Sequence, residues 1–408
     1  MNSADTDVTP PTHENGMGGS LPRLVGAKTV ANTALRWIPL FLPTLEGAFG
    51  ATTTQLTTVV GAGELAGLST VAAGSRLDGG RERVVMVSSL GLLTASSLIA
   101  LVGTLTSFAV AFFVLVLAVA NFTVAGQAWI SHRVAYSQRA RALGLFETSW
   151  AFALLAGAPL VAVLINLFGW RGPFVVLAIT AAAATVVVAT TLPRWAPPAI
   201  VDTADASAPQ DRPIPAARRA RITARAWLVM IGSATTAMAG LSVFVISGSW
   251  LDDAFGIPTS GIGAVAVGFG AVELVSSLAS AGVADRLGKL RSTVAGLVVL
   301  IAGLGVMVVA GDAVVVGIAG LLVFLLGFEF AFVTSLSLVS ESMPDARGTT
   351  LAISNAVATI ARASGAVASG WLFAAHGIAG TATLSGLCAA VAIGSLVLSR
   401  RLRRPRLP

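Results

Sequence analysis

Residues 74–83 read GSRLDGGRER, and residues 282–291 read GVADRLGKLR. Each stretch has a glycine, then an aspartate, a further glycine and basic residues, and 207 positions separate Asp78 from Asp285. A second landmark repeats at almost the same distance, because Arg141 in YSQRARALG and Arg347 in MPDARGTT lie 206 positions apart. Two landmarks with nearly one offset predict that the chain contains a duplicated unit.

The segments between these loops are long and apolar. The chain has 408 residues, of which 55% are hydrophobic and 11% charged, and its mean hydropathy is +0.85. A soluble fold could not bury so much apolar surface, so we expect a lipid bilayer as the solvent. A helix of about 20 apolar residues crosses the hydrocarbon core. Such runs, here named spans 1 to 12, lie at roughly residues 24–46, 55–75, 84–104, 108–130, 142–166, 173–192, 223–249, 260–281, 292–310, 313–339, 349–374 and 381–399.

Two polar segments divide these spans into halves. Residues 1–23 form a predicted disordered tail, and residues 193–222, rich in proline, alanine and charge, form a predicted linker. We therefore expect six-helix bundles at 24–192 and 223–399, followed by a basic tail at 400–408. The single cysteine, Cys388, excludes an internal disulfide.

The 26 lysines and arginines test this arrangement. If the N-terminus is cytoplasmic, 23 of them fall on the cytoplasmic side, with Lys28 counted in the N-terminal segment, and one, Arg171, falls outside. This asymmetry satisfies the positive-inside rule and predicts that both termini are cytoplasmic. The charges are spread over short segments and form no contiguous basic face, so we do not expect nucleic-acid binding.

The repeated loop resembles the signature Gly-x-x-x-Asp-Arg-x-Gly-Arg-Arg of the major facilitator superfamily, and GWRGPF at 169–174 resembles that family's stretch between spans 5 and 6. The resemblance covers about residues 24–400. It implies an all-α membrane protein whose twelve helices form two pseudo-symmetric six-helix bundles. It also implies that the loops gate the passage between the bundles, through Asp78, Arg81, Arg141, Asp285, Arg286 and Arg347.

A physical argument supports such a gate. A carboxylate at a helix end, such as Asp78 or Asp285, can pair with an arginine of a neighbouring helix and so latch two elements. The alternative interpretation is a solvated, charged turn that only anchors the topology. The repetition of the loop favours the latch.

Five charged residues lie deep in the predicted spans, where each costs about 2.5–3.5 kcal/mol on insertion scales. Such residues persist when they are paired, hydrated or used in function. They are Arg36 in span 1, Glu64 in span 2, Glu273 in span 8, Glu329 in span 10 and Arg362 in span 11.

The family architecture implies a place for each of them. Spans 1, 4, 7 and 10 would line the central cavity, so Arg36 and Glu329 would face it. Spans 2 and 11 would meet across the halves and bring Glu64 beside Arg362, either as a structural ion pair or as a pair that breaks during transport. Spans 5 and 8 would form the other seam, with Glu147 and Glu273.

Arg36 is the predicted ligand-binding residue, because a planar cation in a cavity suits a carboxylate or phosphate. The alternative is that Arg36 pairs with an acidic neighbour and shapes the cavity. Further candidate binding residues on spans 1 and 4 are Asn32, Trp37, Asn121 and Gln127.

Proton coupling needs a carboxylate that can be protonated in the working range. The candidates are, in order, Glu329, Glu273 and Glu64. Glu329 leads because it lies between two phenylalanines and its own span carries no basic residue.

These features predict a secondary transporter of the plasma membrane that works as a monomer by alternating access, with protons as the coupling ion and an anionic or zwitterionic small molecule as substrate. The alternative is a broad-specificity drug or metabolite:proton antiporter. No cofactor or metal is expected, since His13, His132 and His376 all lie at or beyond span ends. Without a phosphate-binding loop or a catalytic constellation, neither ATP hydrolysis nor another enzymatic activity is predicted.

Overall fold

The computed structural model describes residues 17–72, 77, 80–134, 136–192, 222–343 and 346–402. Within these ranges the chain is helical and contains no strand. The first half comprises Met17–Leu40 and Leu42–Phe49 (span 1), Thr53–Glu64 with a 3₁₀ turn Leu65–Ser69 (span 2), Glu82–Ala100 (span 3), Leu105–Arg133 (span 4), Tyr136–Glu147, Ser149–Phe152, the π-helical Ala153–Gly157 and Ala158–Phe168 (span 5), and Arg171–Thr191 (span 6).

The second half repeats this plan. Its helices are Ala224–Phe244 and Ser247–Phe255 (span 7), Thr259–Leu287 (span 8), Lys289–Val309 (span 9), Val314–Ser342 (span 10) and Arg347–Arg401 (spans 11 and 12). The last helix is broken at Gly377, whose φ of 58° and ψ of −151° are not helical, so it forms two helices. Nine helices of the described ranges are long and apolar enough to cross a membrane. Span 1, with Lys28 and Arg36 inside it, is not among them.

Glycines with positive φ show the duplication directly. In the described part of the chain they occur at the ends of helices, where the chain turns in a conformation that side chains with a Cβ rarely adopt. Each one in the first half has a counterpart 206 or 208 positions later, and the four pairs are Gly50 with Gly256, Gly80 with Gly288, Gly103 with Gly311 and Gly169 with Gly377. The two halves therefore share turn geometry as well as helix order.

Spans 1 and 7 are both interrupted near their ends. A short helix follows each break, and each short helix ends in a left-handed glycine, Gly50 or Gly256. These ends touch: a Cβ atom built on Gly248 would lie 1.9 Å from the carbonyl oxygen of Leu40, so the approach requires glycine. We name the side of the molecule with this contact the far side, and the side where the described chain begins and ends the terminal side.

Two further seams join the halves. Span 2 meets span 11 where Gly61 lies against Ala363 and Val367, and span 5 meets span 8 where Gly270 lies against Leu155. Together with the contact between spans 1 and 7, these seams join the two halves. At the terminal side the side chains of Arg81, Arg141 and Arg286 are exposed.

Span 1 begins earlier than the sequence predicts. Its helix starts at Met17, although the predicted span starts at residue 24. The assignment of Lys28 to the N-terminal segment was wrong, because Lys28 is fully buried inside the bundle. Residues 1–16 of the predicted tail 1–23 and residues 193–221 of the predicted linker 193–222 lie outside the described residues.

Candidate functional site

An ion pair between the two halves forms the centre of the site. Arg36 of span 1 donates a hydrogen bond to the Glu273 carboxylate of span 8, and both side chains are about nine-tenths buried. The guanidinium also contacts the carbonyl oxygen of Trp150 at 3.4 Å and lies between the Trp150 and Phe244 rings, 5.4 and 5.3 Å from their centroids. Arg36 is therefore enclosed by groups from both halves.

Glu329 of span 10 adds a second carboxylate to this centre. It is 9% exposed and interacts electrostatically with both Glu273 and Arg36. None of the ion pairs among the described residues involves Glu329. We name Arg36, Glu273 and Glu329 the central triad, which contains one cation and two carboxylates.

A second charged cluster lies on the first half. The ammonium of Lys28 is 2.6 Å from Oε2 of Glu147, and Lys28 is 0% exposed. The Gln127 amide donates to Oε1 of Glu147 at 2.9 Å, and the Trp150 indole N–H donates to Oε2 at 3.1 Å. We name Lys28, Gln127, Glu147 and Trp150 the Glu147 cluster.

The sequence contained a signal for this cluster. Lys28, Asn32 and Arg36 are spaced by four residues, which places them on one face of a helix. The structure confirms that this face meets span 5, because Asn32 donates to the Ser149 hydroxyl at 3.0 Å. Glu147, predicted at the seam with span 8, instead pairs within its own half.

The other predicted binding residues have different surroundings. Trp37 is 1% exposed and packs edge-on against Phe174 and near Phe41, in the interior of the first half. Asn121 donates to the Ser69 hydroxyl and to the Leu117 carbonyl, both at 2.8 Å. These contacts join helices of one half, so we leave Trp37 and Asn121 out of the proposed ligand site.

The ion pair predicted between Glu64 and Arg362 is present. Nε of Arg362 is 2.9 Å from Oε2 of Glu64, across the seam of spans 2 and 11. Arg362 also donates to the Thr359 hydroxyl at 3.2 Å. Among the described residues, two ion pairs thus connect the halves, Arg36–Glu273 between spans 1 and 8 and Glu64–Arg362 between spans 2 and 11.

The loop residues are described only in part. Asp78 lies outside the described residues, and so do the side chains of Asp285 and Arg347. A group of three His, Cys, Asp or Glu residues that could hold a metal ion is not found in the described ranges.

Comparison with known proteins agrees with this architecture. Residues 27–366 match the sequence profile of the Major Facilitator Superfamily. No curated protein is significantly similar to the chain in sequence.

Solved structures show the same fold. A D-xylose-proton symporter is 15% identical, with a TM-score of 0.73, over 91% of this chain and 96% of the symporter. A bacterial homolog of the human lysosomal transporter Spinster, inward-facing and unoccupied, is 11% identical, with a TM-score of 0.70, over 93% of each chain. With the profile match over most of its length, the twelve-helix chain belongs to the major facilitator superfamily.

Proposed function

We propose that the protein is a proton-coupled secondary transporter that moves a small organic molecule across the plasma membrane by alternating access. Both termini are cytoplasmic in this proposal, because nearly all lysines and arginines outside the spans lie on the terminal side. A proton symporter is among the proteins of similar fold.

In this orientation we interpret the structure as an inward-open state. Spans 1 and 7 touch at the far side, proposed to be external, and arginines of both halves are exposed at the terminal side. One of the structures of similar fold is also inward-facing. Opening the external side requires separation of Arg36 from Glu273, since the two belong to different halves.

One observation supports proton coupling most directly, namely the excess carboxylate of the central triad. Glu273 neutralises Arg36, and Glu329 shares their surroundings with no cation of its own among the described ion pairs. A buried, uncompensated carboxylate is costly. Binding a proton to Glu329 makes the triad neutral, and losing it restores a net negative charge, so Glu329 is the proposed proton site.

The substrate is proposed to carry a negative group, alone or in a zwitterion. Arg36 is not a free cation, because Glu273 occupies it. An anion that binds there must replace Glu273, which would link binding to separation of the two halves. This exchange combines the two interpretations of Arg36, as counter-ion in one state and as ligand-binding residue in the other.

Proteoliposomes test this function. A panel of organic acids and amino acids is screened with a pH-sensitive dye in the lumen, and the compound that gives the largest signal is used. Replacing Glu329 with Gln, which mimics the protonated form, is expected to abolish substrate-driven proton movement but to retain exchange of labelled for unlabelled substrate. The Glu341→Gln variant is the control, because Glu341 is an exposed carboxylate paired with Lys289 on the terminal side. Proton movement in Glu329→Gln equal to that of the control would contradict the proposal.

Aromatic rings favour the second candidate, a drug or metabolite:proton antiporter. Phe328 and Phe332 stack at 5.7 Å beside Glu329 in sequence, and Phe244 covers Arg36. Half-buried rings next to an excess carboxylate also suit an amphipathic cation. The sign of the dye signal separates the candidates: substrate added outside acidifies the lumen in symport and makes it alkaline in antiport.

A further inference from the structure

The Glu147 carboxylate occupies a cradle of three donors from three spans. Lys28 comes from span 1, Gln127 from span 4 and the Trp150 indole from span 5, and they donate over 2.6, 2.9 and 3.1 Å. Three converging donors, one of them charged, form an arrangement that selects a carboxylate. We infer that this cradle is the binding site for an acidic group of the substrate, and that Glu147 occupies it when the substrate is absent.

The exposure of the partners supports an exchange. Lys28 is 0% exposed, whereas the Glu147 side chain is 39% exposed. Of the two partners, Glu147 is therefore the one that a ligand can reach. If a ligand displaces the Glu147 carboxylate from Lys28, the carboxylate can move into water, so that no unpaired charge is buried.

Lys28 has contacts besides the one with Glu147. The Lys28 ammonium lies 4.0 Å from the centroid of the Phe146 ring and 5.8 Å from that of Trp150, so two aromatic faces also hold it. Gln127 lies within the long helix Leu105–Arg133. An acidic group that replaced the Glu147 carboxylate would meet all three donors.

A π-helical turn follows Glu147 in span 5. The chain stays helical past Glu147, since the Thr148 N–H donates to the Gly144 carbonyl oxygen at 3.1 Å, and the π-helical segment Ala153–Gly157 begins six residues after Glu147. Such π-helical turns inside helices frequently occur at functional sites.

The cradle also lies beside the proposed coupling site. Lys28 and Arg36 are eight residues apart on one helical face, or about 12 Å along the axis. Trp150 joins them, because its indole N–H donates to Glu147 and its carbonyl oxygen and ring contact Arg36. The inference rests on the proposed function, and it adds an acid-binding group at Lys28 to the one proposed at Arg36.

Three probes test this site: benzoate, benzyl alcohol and benzylamine. Each has one aromatic ring, and they are anionic, neutral and cationic, respectively. Binding to purified protein in detergent is measured by calorimetry at a fixed pH, without any gradient. Wild-type protein is expected to prefer benzoate. Glu147→Ala empties the cradle and is expected to bind benzoate about tenfold more tightly. Lys28→Met is expected to lose this binding.

Two more variants keep the result interpretable. The double variant Lys28→Met/Glu147→Gln leaves no unpaired buried charge, so it is expected to fold and yet not to bind benzoate. The Glu341→Gln control, in an exposed pair of the second half, is expected to bind as wild type does.

Preference for benzylamine, or equal affinity for benzoate in wild type and Glu147→Ala, would overturn the inference. These binding data require no proton movement. The cradle can therefore fail while the proton-coupling assay on Glu329 succeeds, and the reverse outcome is equally distinguishable.

Discussion

At the scale of the residue, the positions that matter are those where charge is buried. Arg36 and Lys28 lie on one face of span 1, and each is neutralised by a carboxylate, from the other half for Arg36 and from the same half for Lys28. The two ion pairs respond differently to a relative movement of the halves. Rocking of the halves must separate Arg36 from Glu273, whereas Lys28 and Glu147 can move together as one body.

This difference predicts the behaviour of Arg36 variants. Removing one partner of a buried ion pair costs about 3–5 kcal/mol, because the other charge is left unpaired. Arg36→Ala is therefore expected to lose transport, and the charge swap Arg36→Glu/Glu273→Arg is expected to restore the fold but not substrate uptake. Uptake of labelled substrate, normalised to protein in the membrane, measures both effects.

The swap separates the two interpretations of Arg36. Full uptake by the swapped protein would show that Arg36 serves only as a counter-ion. Near-normal transport kinetics of the Arg36→Ala variant would show that Arg36 acts neither as a counter-ion nor as a ligand-binding residue.

At the scale of the element, the broken ends of spans 1 and 7 form the contact that we propose closes the external side. The contact depends on Gly248, since a Cβ there would collide with the Leu40 carbonyl oxygen at 1.9 Å. Backbone cannot move aside as a flexible side chain can. The sequence does not predict this contact, because a glycine in an apolar span usually indicates only close packing of helices.

Gly248→Val is therefore expected to prevent external closure. In a Cys388→Ser background, a cysteine at Ser249, which is 1% exposed, reports the change. Its labelling by a membrane-impermeant maleimide is expected to rise about tenfold, as a minor open state becomes dominant. Gly47→Val is the matched control, because a Cβ at Gly47 meets nothing within 4 Å. Equal labelling in the two variants would show that the contact does not hold the external side closed.

At the scale of the whole molecule, the duplication was the most predictable property. Two loops and two arginines at offsets of 207 and 206 predicted it, and glycine turns at 206 and 208 repeat it in the structure. The Glu64–Arg362 pair was also predictable, because topology alone brings spans 2 and 11 together. Such properties follow from helix order and need no side-chain detail.

The partners within the site were less predictable. Three carboxylates were available to Arg36, and only the packing of span 8 against span 5 selects Glu273. The burial of Lys28 was missed because this lysine, near the start of the predicted span 24–46, was counted with the charges of the N-terminal segment, whereas it lies in the middle of the helix Met17–Leu40. Apolar runs identify the lipid-facing part of a helix and underestimate the part that protein covers.

Two rigid halves that rock against each other must change both sides of the molecule together. The distance between spin labels at Gln138→Cys and Leu287→Cys reports the terminal side. The distance between labels at Gly47→Cys and Asp252→Cys reports the far side. All four positions are exposed. Adding Gly248→Val is expected to lengthen the far-side distance and shorten the terminal-side distance, measured by pulsed electron resonance. A label pair within the second half, Leu287→Cys with Glu341→Cys, is expected to stay constant. Lengthening at the far side without shortening at the terminal side would contradict rigid-body alternating access, because the seams would then open by local bending of spans 1 and 7.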